Sequence, residues 1–221
     1  MYIYNIMSLS DHELKSLAKR MGMTLQGVVY KSQLEDMELQ YNKPYIINLD
    51  NEYDADGRPN QGTHYVALQV SKNNKGKIEP CYCDSYGVAP PQEVLDFVGV
   101  KHVPYNTKCI QSLMAEVCGF FCLAFFYFIN KFEKRSGNIY NDCEEFTDLF
   151  NDLNTSSDWK ANELMLKSFF QSSDKEYRRT HPVEVFTDFK VIHQEGQGSN
   201  NVATKSIQND IDEQEEEEEE D

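Results

Sequence analysis

Four residues have the types for covalent chemistry at a carbonyl: His64, Asp84, Gln111 and Cys118. His64 and Asp84 flank a turn signal at residues 73–76, in stretches that read as strands over 63–70 and 77–84. A hairpin centred on Asn74 sets the two directly across from each other, with Cβ atoms about 4.5 to 5.5 Å apart. A carboxylate at that separation accepts a hydrogen bond from an imidazole. On the first strand His64 shares its face with Val66, Leu68 and Val70, at the polar end of a core-facing row. Register decides the pairing, because a slip of one residue sends the two side chains to opposite faces. Taken alone, His64 also fits a structural histidine or a surface cross-strand pair.

Cys118 stands where the loop 110–117 turns into an apolar helix, followed by Gly119. The positive end of the helix dipole and its free backbone amides favour thiolate over thiol there, and an adjacent imidazole completes the activation of a nucleophile. Gly119 leaves room for a substrate carbonyl to approach. A buried small hydrophobe capping a core helix is the other reading of the cysteine. Gln111, seven residues earlier on the loop, can return beside it. Its amide, with the Cys118 backbone N–H, can donate to the oxyanion of a tetrahedral intermediate.

The remaining candidates are weaker. Cys122 and Cys143 sit in helical patterns, and Cys81 and Cys83 alternate with Tyr82 on the second strand, facing away from Asp84. A zinc site from Cys81, Cys83, His102 and Cys109 can be written, but no second Cys-x-x-Cys pair supports it, so neither metal nor cofactor is expected. His12, His102, His181 and His193 have no carboxylate at hairpin spacing.

The elements that must position these residues follow from local signals. Ser10 and Glu13 form a capping box for a helix over 11–21, which Gly22 stops. Residues 45–49 read as a strand and 50–62, rich in Asp, Asn and Gly, as a loop. Pro90 and Pro91 open a short helix to about residue 97, Gly99 ends it, and 100–103 fits a further short strand. Residues 118–132 are apolar on nearly every face, which predicts a central buried helix. Amphipathic helices follow at 142–153 and 158–171, then a weak strand at 183–191. The fold class is α+β: a small mixed sheet packed on the Cys118 helix.

Composition bounds the rest. The net charge is −16, of which residues 194–221 carry −10 through eleven acids and one lysine, leaving −6 for residues 1–193. The expected division is one domain over 1–193 and a disordered acidic tail over 194–221, too polar to recover the entropy of ordering. A mildly acidic body has no uniform basic field for nucleic acid. The first nine residues lack the layout of a signal peptide, and the longest apolar run, 119–129, is about half the ~20 residues a membrane span needs. A soluble chain that is not secreted is expected, with its six cysteines reduced.

The pattern as a whole resembles the adenovirus-type (adenain-like) maturation proteases, relatives of the ubiquitin-like and SUMO-specific cysteine proteases. The matching text is Gly62-Thr63-His64-Tyr65-Val66-Ala67, then Cys83-Asp84-Ser85-Tyr86-Gly87 with Pro90-Pro91, then Gln111, then Cys118-Gly119-Phe120-Phe121-Cys122-Leu123. The Asp-Ser-Tyr-Gly phrase followed by Pro-Pro is most similar to the proteases of virophages and Maverick or Polinton elements. The resemblance covers residues 45–130. It implies Cys118 as nucleophile, His64 as general base, Asp84 as the group orienting it and Gln111 as oxyanion donor. The implied site is papain-like with a permuted order, since a triad is recognised by geometry. It also implies a monomeric enzyme of the virion and the host cytoplasm that cuts capsid precursors after small residues, commonly Gly-Gly or Gly-X. Tyr65 departs from the tryptophan that many relatives carry after the histidine, so the packing of the imidazole is open. A deconjugating protease acting on a ubiquitin-like protein and a non-catalytic assembly factor are the alternatives. The tail would then steer the protein to basic capsid surfaces.

Overall fold

The computed structural model describes residues 9–60, 62–72, 75–131 and 139–172. Helix α1 (Asp11–Arg20) starts at the expected capping box: the Ser10 hydroxyl accepts from the Glu13 N–H, and the Glu13 carboxylate accepts from the Ser10 N–H at 2.9 Å. Leu14, Leu17 and Ala18 form its buried stripe. Strand β1 (Gly27–Tyr30) runs directly into a single 3-10 segment, Lys31–Asp36. Then come β2 (Pro44–Asn48), β3 (Tyr65–Lys72) and β4 (Ile78–Cys83). The sheet has the order β1-β2-β3-β4, with β1 parallel to β2 and the other pairs antiparallel. It is a four-stranded mixed sheet in an α+β fold.

Its two faces bury different layers. Tyr65, Ala67, Cys81 and Cys83 face a large core with α1 and α3 (Cys118–Lys131), joined by α4 (Ile139–Thr147) and α5 (Ser156–Ser172). Val66, Leu68, Val70 and Tyr82 face a smaller core with Leu34 of the 3-10 segment and Val94 and Val98 of α2 (Gln92–Val98). The alternation along each strand sorts its residues between the two cores. Helix α3 is apolar all round because it is enclosed all round. The sheet covers one side, and edge-to-face pairs Phe121–Phe150, Phe125–Phe146 and Phe120–Phe170, at 5.0 to 5.5 Å, fasten it to the segments around α4 and α5.

Three expectations change. The hairpin pairs Ala67 with Cys83 and Leu68 with Tyr82, two residues away from the expected register. An even shift keeps side chains on their faces, so the argument from parity survives while the directly opposed pair does not. Residues 100–103 do not form a strand; the sheet is met there only by an isolated bridge between Tyr82 and Tyr105. The space beside Gly119 serves packing: a Cβ there would stand 2.8 Å from the Leu14 side chain, so the glycine lets α1 approach α3. The expected strand at 183–191, the tail at 194–221, His181, His193 and the turn residues Asn73 and Asn74 lie outside the described residues. Among the described residues no helix is long and apolar enough to cross a membrane.

Candidate active site

Beyond the ends of β3 and β4 the chain places His64 and Asp84 one residue outside each strand. In the observed register they are diagonal neighbours, and the imidazole Nε2 lies 2.7 Å from Asp84 Oδ1 in a buried contact. A carboxylate oxygen only accepts, so Nε2 carries the proton and Nδ1 is left for another partner. The same Oδ1 accepts the Tyr86 N–H at 2.8 Å. Asn106, itself buried, holds the Asp84 backbone from both sides: its Oδ1 accepts from the Asp84 N–H at 2.8 Å and its Nδ2 donates to the Asp84 carbonyl at 2.7 Å.

Cys118 opens α3, and its sulfur accepts the N–H of Tyr65, the residue after His64, at 3.4 Å. The nitrogen that faces no carboxylate, Nδ1, is buried without a hydrogen bond of good geometry. Burial works against the charged imidazole, but hydrogen bonding to Asp84 and the influence of the nearby Cys118 sulfur outweigh it, and the His64 pKa is raised to about 9. The ring packed on His64 is Tyr86, stacked at 4.3 Å and 24°. Tyr65 turns instead toward α1, where its hydroxyl donates to Asp11 Oδ1 at 2.5 Å. That answers how the imidazole is packed without a tryptophan after it.

Gln111 is 2 % exposed and fully engaged. Its Oε1 accepts from the Ser85 hydroxyl at 2.8 Å, and its Nε2 donates to the Ala115 carbonyl at 2.5 Å and to the Tyr86 hydroxyl at 3.3 Å. Tyr86 therefore touches the imidazole, the carboxylate and the amide. The four residues singled out in the sequence come from three separate segments and gather around it.

Other positions could not be found from spacing. Asn106 lies in an irregular stretch with no periodic pattern. Asn162, a buried amide in the middle of α5, donates to the carbonyl of Ile110 at 3.0 Å and so braces the loop that carries Gln111. A lone asparagine on the inner side of an amphipathic helix was the available signal. Cys81, Cys83 and Cys122 are enclosed in the core, where burial pushes their thiols up and leaves them unreactive. All six cysteines are free, and among the described residues no group of three or more His, Cys, Asp or Glu is arranged to hold a metal ion. A cleft of about 490 Å³ between the 3-10 segment and α2, lined by Leu34, Met37 and Phe97 among others, includes none of the residues around Tyr86.

No family model and no curated protein matches the chain.

The turn that presents Asp84, Ser85 and Tyr86 is closed by Gly87, whose N–H donates to the Asp84 carbonyl at 2.9 Å. Gly87 has φ 71°, and a Cβ there would stand 2.7 Å from the Thr107 carbonyl oxygen. Backbone cannot retreat as a side-chain tip can, so Gly87→Ala is expected to cost about 2 kcal/mol of stability. It should also lower the fraction of His64 held at the raised pKa. Urea unfolding and an NMR titration of His64 would check both, and unchanged values would mean that the turn adapts.

Proposed function

We propose that the chain is a cysteine peptidase of the adenovirus type, with Cys118 as nucleophile, His64 as its base, Asp84 as the orienting acid and Gln111 as an oxyanion donor. The observation that carries this reading is the buried 2.7 Å contact of His64 with Asp84 beside a cysteine at a helix start, with the imidazole pKa raised by both neighbours. Such an arrangement favours a thiolate paired with an imidazolium. The thiolate attacks the peptide carbonyl, and the carbonyl oxygen becomes an oxyanion. His64 gives its Nδ1 proton to the leaving amine, and the acyl group remains on sulfur. Water, losing a proton to His64, then releases the acid and restores the site. Metal is not needed for any of these steps.

The proposed site is papain-like in its roles, with the order His, Asp, Cys along the chain. The expected substrates are capsid precursor proteins cut after a small residue, in the virion and the host cytoplasm, with the enzyme acting as a monomer. The resemblance of residues 45–130 supplies that part of the reading.

Labelling with a peptide carrying a thiol-reactive electrophile tests it. Wild-type protein should be modified at Cys118 alone among its six cysteines, and Cys118→Ala should not be modified. Equal labelling of the two proteins would leave the fold as a non-catalytic scaffold. Incubation with ubiquitin-like fusions beside capsid precursors separates the deconjugating alternative from the maturation enzyme.

A further inference from the structure

Ser85 is the residue between the acid and the tyrosine, and the peptidase chemistry just described does not use it. It is 4 % exposed and makes three hydrogen bonds to one short segment. Its carbonyl accepts from the N–H groups of Ile110 at 2.8 Å and Gln111 at 3.2 Å, and its hydroxyl donates to Gln111 Oε1 at 2.8 Å. The Ala115 carbonyl, 2.5 Å from Nε2, can only accept, so the NH2 end of the Gln111 amide must point toward it. Oε1 is thereby directed at Ser85, whose hydroxyl can rotate to donate. Both ends of the amide are thus keyed, and the second Nε2 hydrogen is left with the weakest partner, the Tyr86 hydroxyl at 3.3 Å. That hydroxyl belongs to the ring stacked on His64, so this hydrogen lies on the imidazole side of Gln111.

We propose that Ser85 is a positioning residue that fixes the tilt of the Gln111 amide, whose polarity the Ala115 carbonyl sets, so that one Nε2 hydrogen is held ready for the substrate oxyanion and is parked on the Tyr86 hydroxyl until substrate arrives. This rests on the peptidase reading. The physical case is that an oxyanion donor works by being aimed before charge develops, and a misplacement of about 1 Å can cost a hundredfold. An amide whose polarity is set at its nitrogen end by the Ala115 carbonyl can still tilt, so its aim also depends on a partner at the oxygen end, which is the Ser85 hydroxyl. Removing the Ser85 hydroxyl leaves Oε1 buried and unsatisfied, and the amide is free to tilt toward other donors. Three successive residues then serve three tasks: Asp84 holds the base, Ser85 aims the oxyanion donor, and Tyr86 bridges them.

The test uses the full chain with two readouts that respond to different parts of the site. Hydrolysis of a fluorogenic peptide bearing Gly-Gly before the leaving group requires an oxyanion donor. Alkylation of Cys118 by iodoacetamide requires only the thiolate. Ser85→Ala should lower kcat between about tenfold and a hundredfold, with KM within twofold and the alkylation rate unchanged. Ser85→Thr, which keeps the hydroxyl, should restore most of the rate. In a double-mutant cycle the Ser85→Ala loss should vanish once Gln111→Ala is present, because the serine acts only through the glutamine. Unchanged kcat in Ser85→Ala, or losses that multiply in the double variant, would overturn the positioning role. A fall in alkylation together with hydrolysis would make the serine a general structural support, which also overturns it. Failure of the peptidase reading has another signature: no hydrolysis by wild type, and alkylation indifferent to His64→Ala.

Discussion

His64→Ala should lower kcat/KM for peptide hydrolysis by at least about ten-thousandfold while leaving the protein folded. In the proposed mechanism the imidazole is the group, among the described residues, that holds a proton near the Cys118 sulfur and returns it to the leaving amine. Its burial is shared with Tyr86, which stacks on it, so truncation opens a small space and does not strip a large core. Asp84→Asn should fall less, by about a hundredfold to ten-thousandfold. Asp84 Oδ1 accepts from both His64 Nε2 and the Tyr86 N–H, and the side-chain amide oxygen of that variant can occupy the same place. The tautomer is then kept while the charge is lost. The new NH2 group falls where Oδ2 lies, which has no partner in the buried site, so some stability is lost as well. Steady-state rates with circular dichroism on each variant check the prediction. A His64→Ala protein that retains its activity would remove the base from the mechanism.

This pair also marks where the sequence was legible and where it was not. Local rules placed α1 by its capping box and α2 by Pro91 and Gly99. The composition of α3 announced burial on every side, and alternation of side chains sent Cys81 and Cys83 to the face opposite Tyr82. What was lost was whatever depends on pairing at a distance. β1 has four residues and pairs in parallel with β2, from which the 3-10 segment separates it, so neither a hairpin turn nor a long alternating run announces it. The hairpin register missed by two because the turn signal does not fix which residue is its centre. His64 and Asp84 still meet because the error was even and because both stand past the strand ends, where a side chain can reach diagonally. The spacing puts Gln111 on a loop that can return beside Cys118 but does not show that it is buried and fully bonded, since its partners Ser85 and Ala115 are brought to it by the turn at Gly87 and the loop before Cys118. Asn106 and Asn162 carry no spacing at all. Asn162 shows in the sequence only as a lone amide on the inner side of a helix, and the role of each is legible only once the backbone groups that they satisfy are in view.

The raised pKa of His64 has a second consequence, in stability. Unfolded, the imidazole returns to its ordinary value near 6.5; folded, it titrates at about 9. Folding therefore favours the protonated form. The resulting stabilisation is complete below pH 6.5, declines as the pH rises, and is gone once the pH passes 9. The difference of the two values corresponds to at most about 3 kcal/mol at roughly 1.4 kcal/mol per unit. Other groups titrate at the alkaline end: Cys81, Cys83 and Cys122, whose thiols are held up by burial, also oppose folding when the unfolded chain ionises. Their contribution is the same in wild type and in His64→Gln, so the difference between the two proteins isolates the histidine. Unfolding by urea at intervals from about pH 6 to pH 10 should show wild type losing up to about 3 kcal/mol more than His64→Gln over that range. Asp84→Asn should flatten the wild-type curve as well, because the carboxylate supplies much of the pull on the proton. Parallel curves for wild type and His64→Gln would mean that the imidazole is not held charged, and the thiolate and imidazolium pair would then have to form only when substrate closes the site.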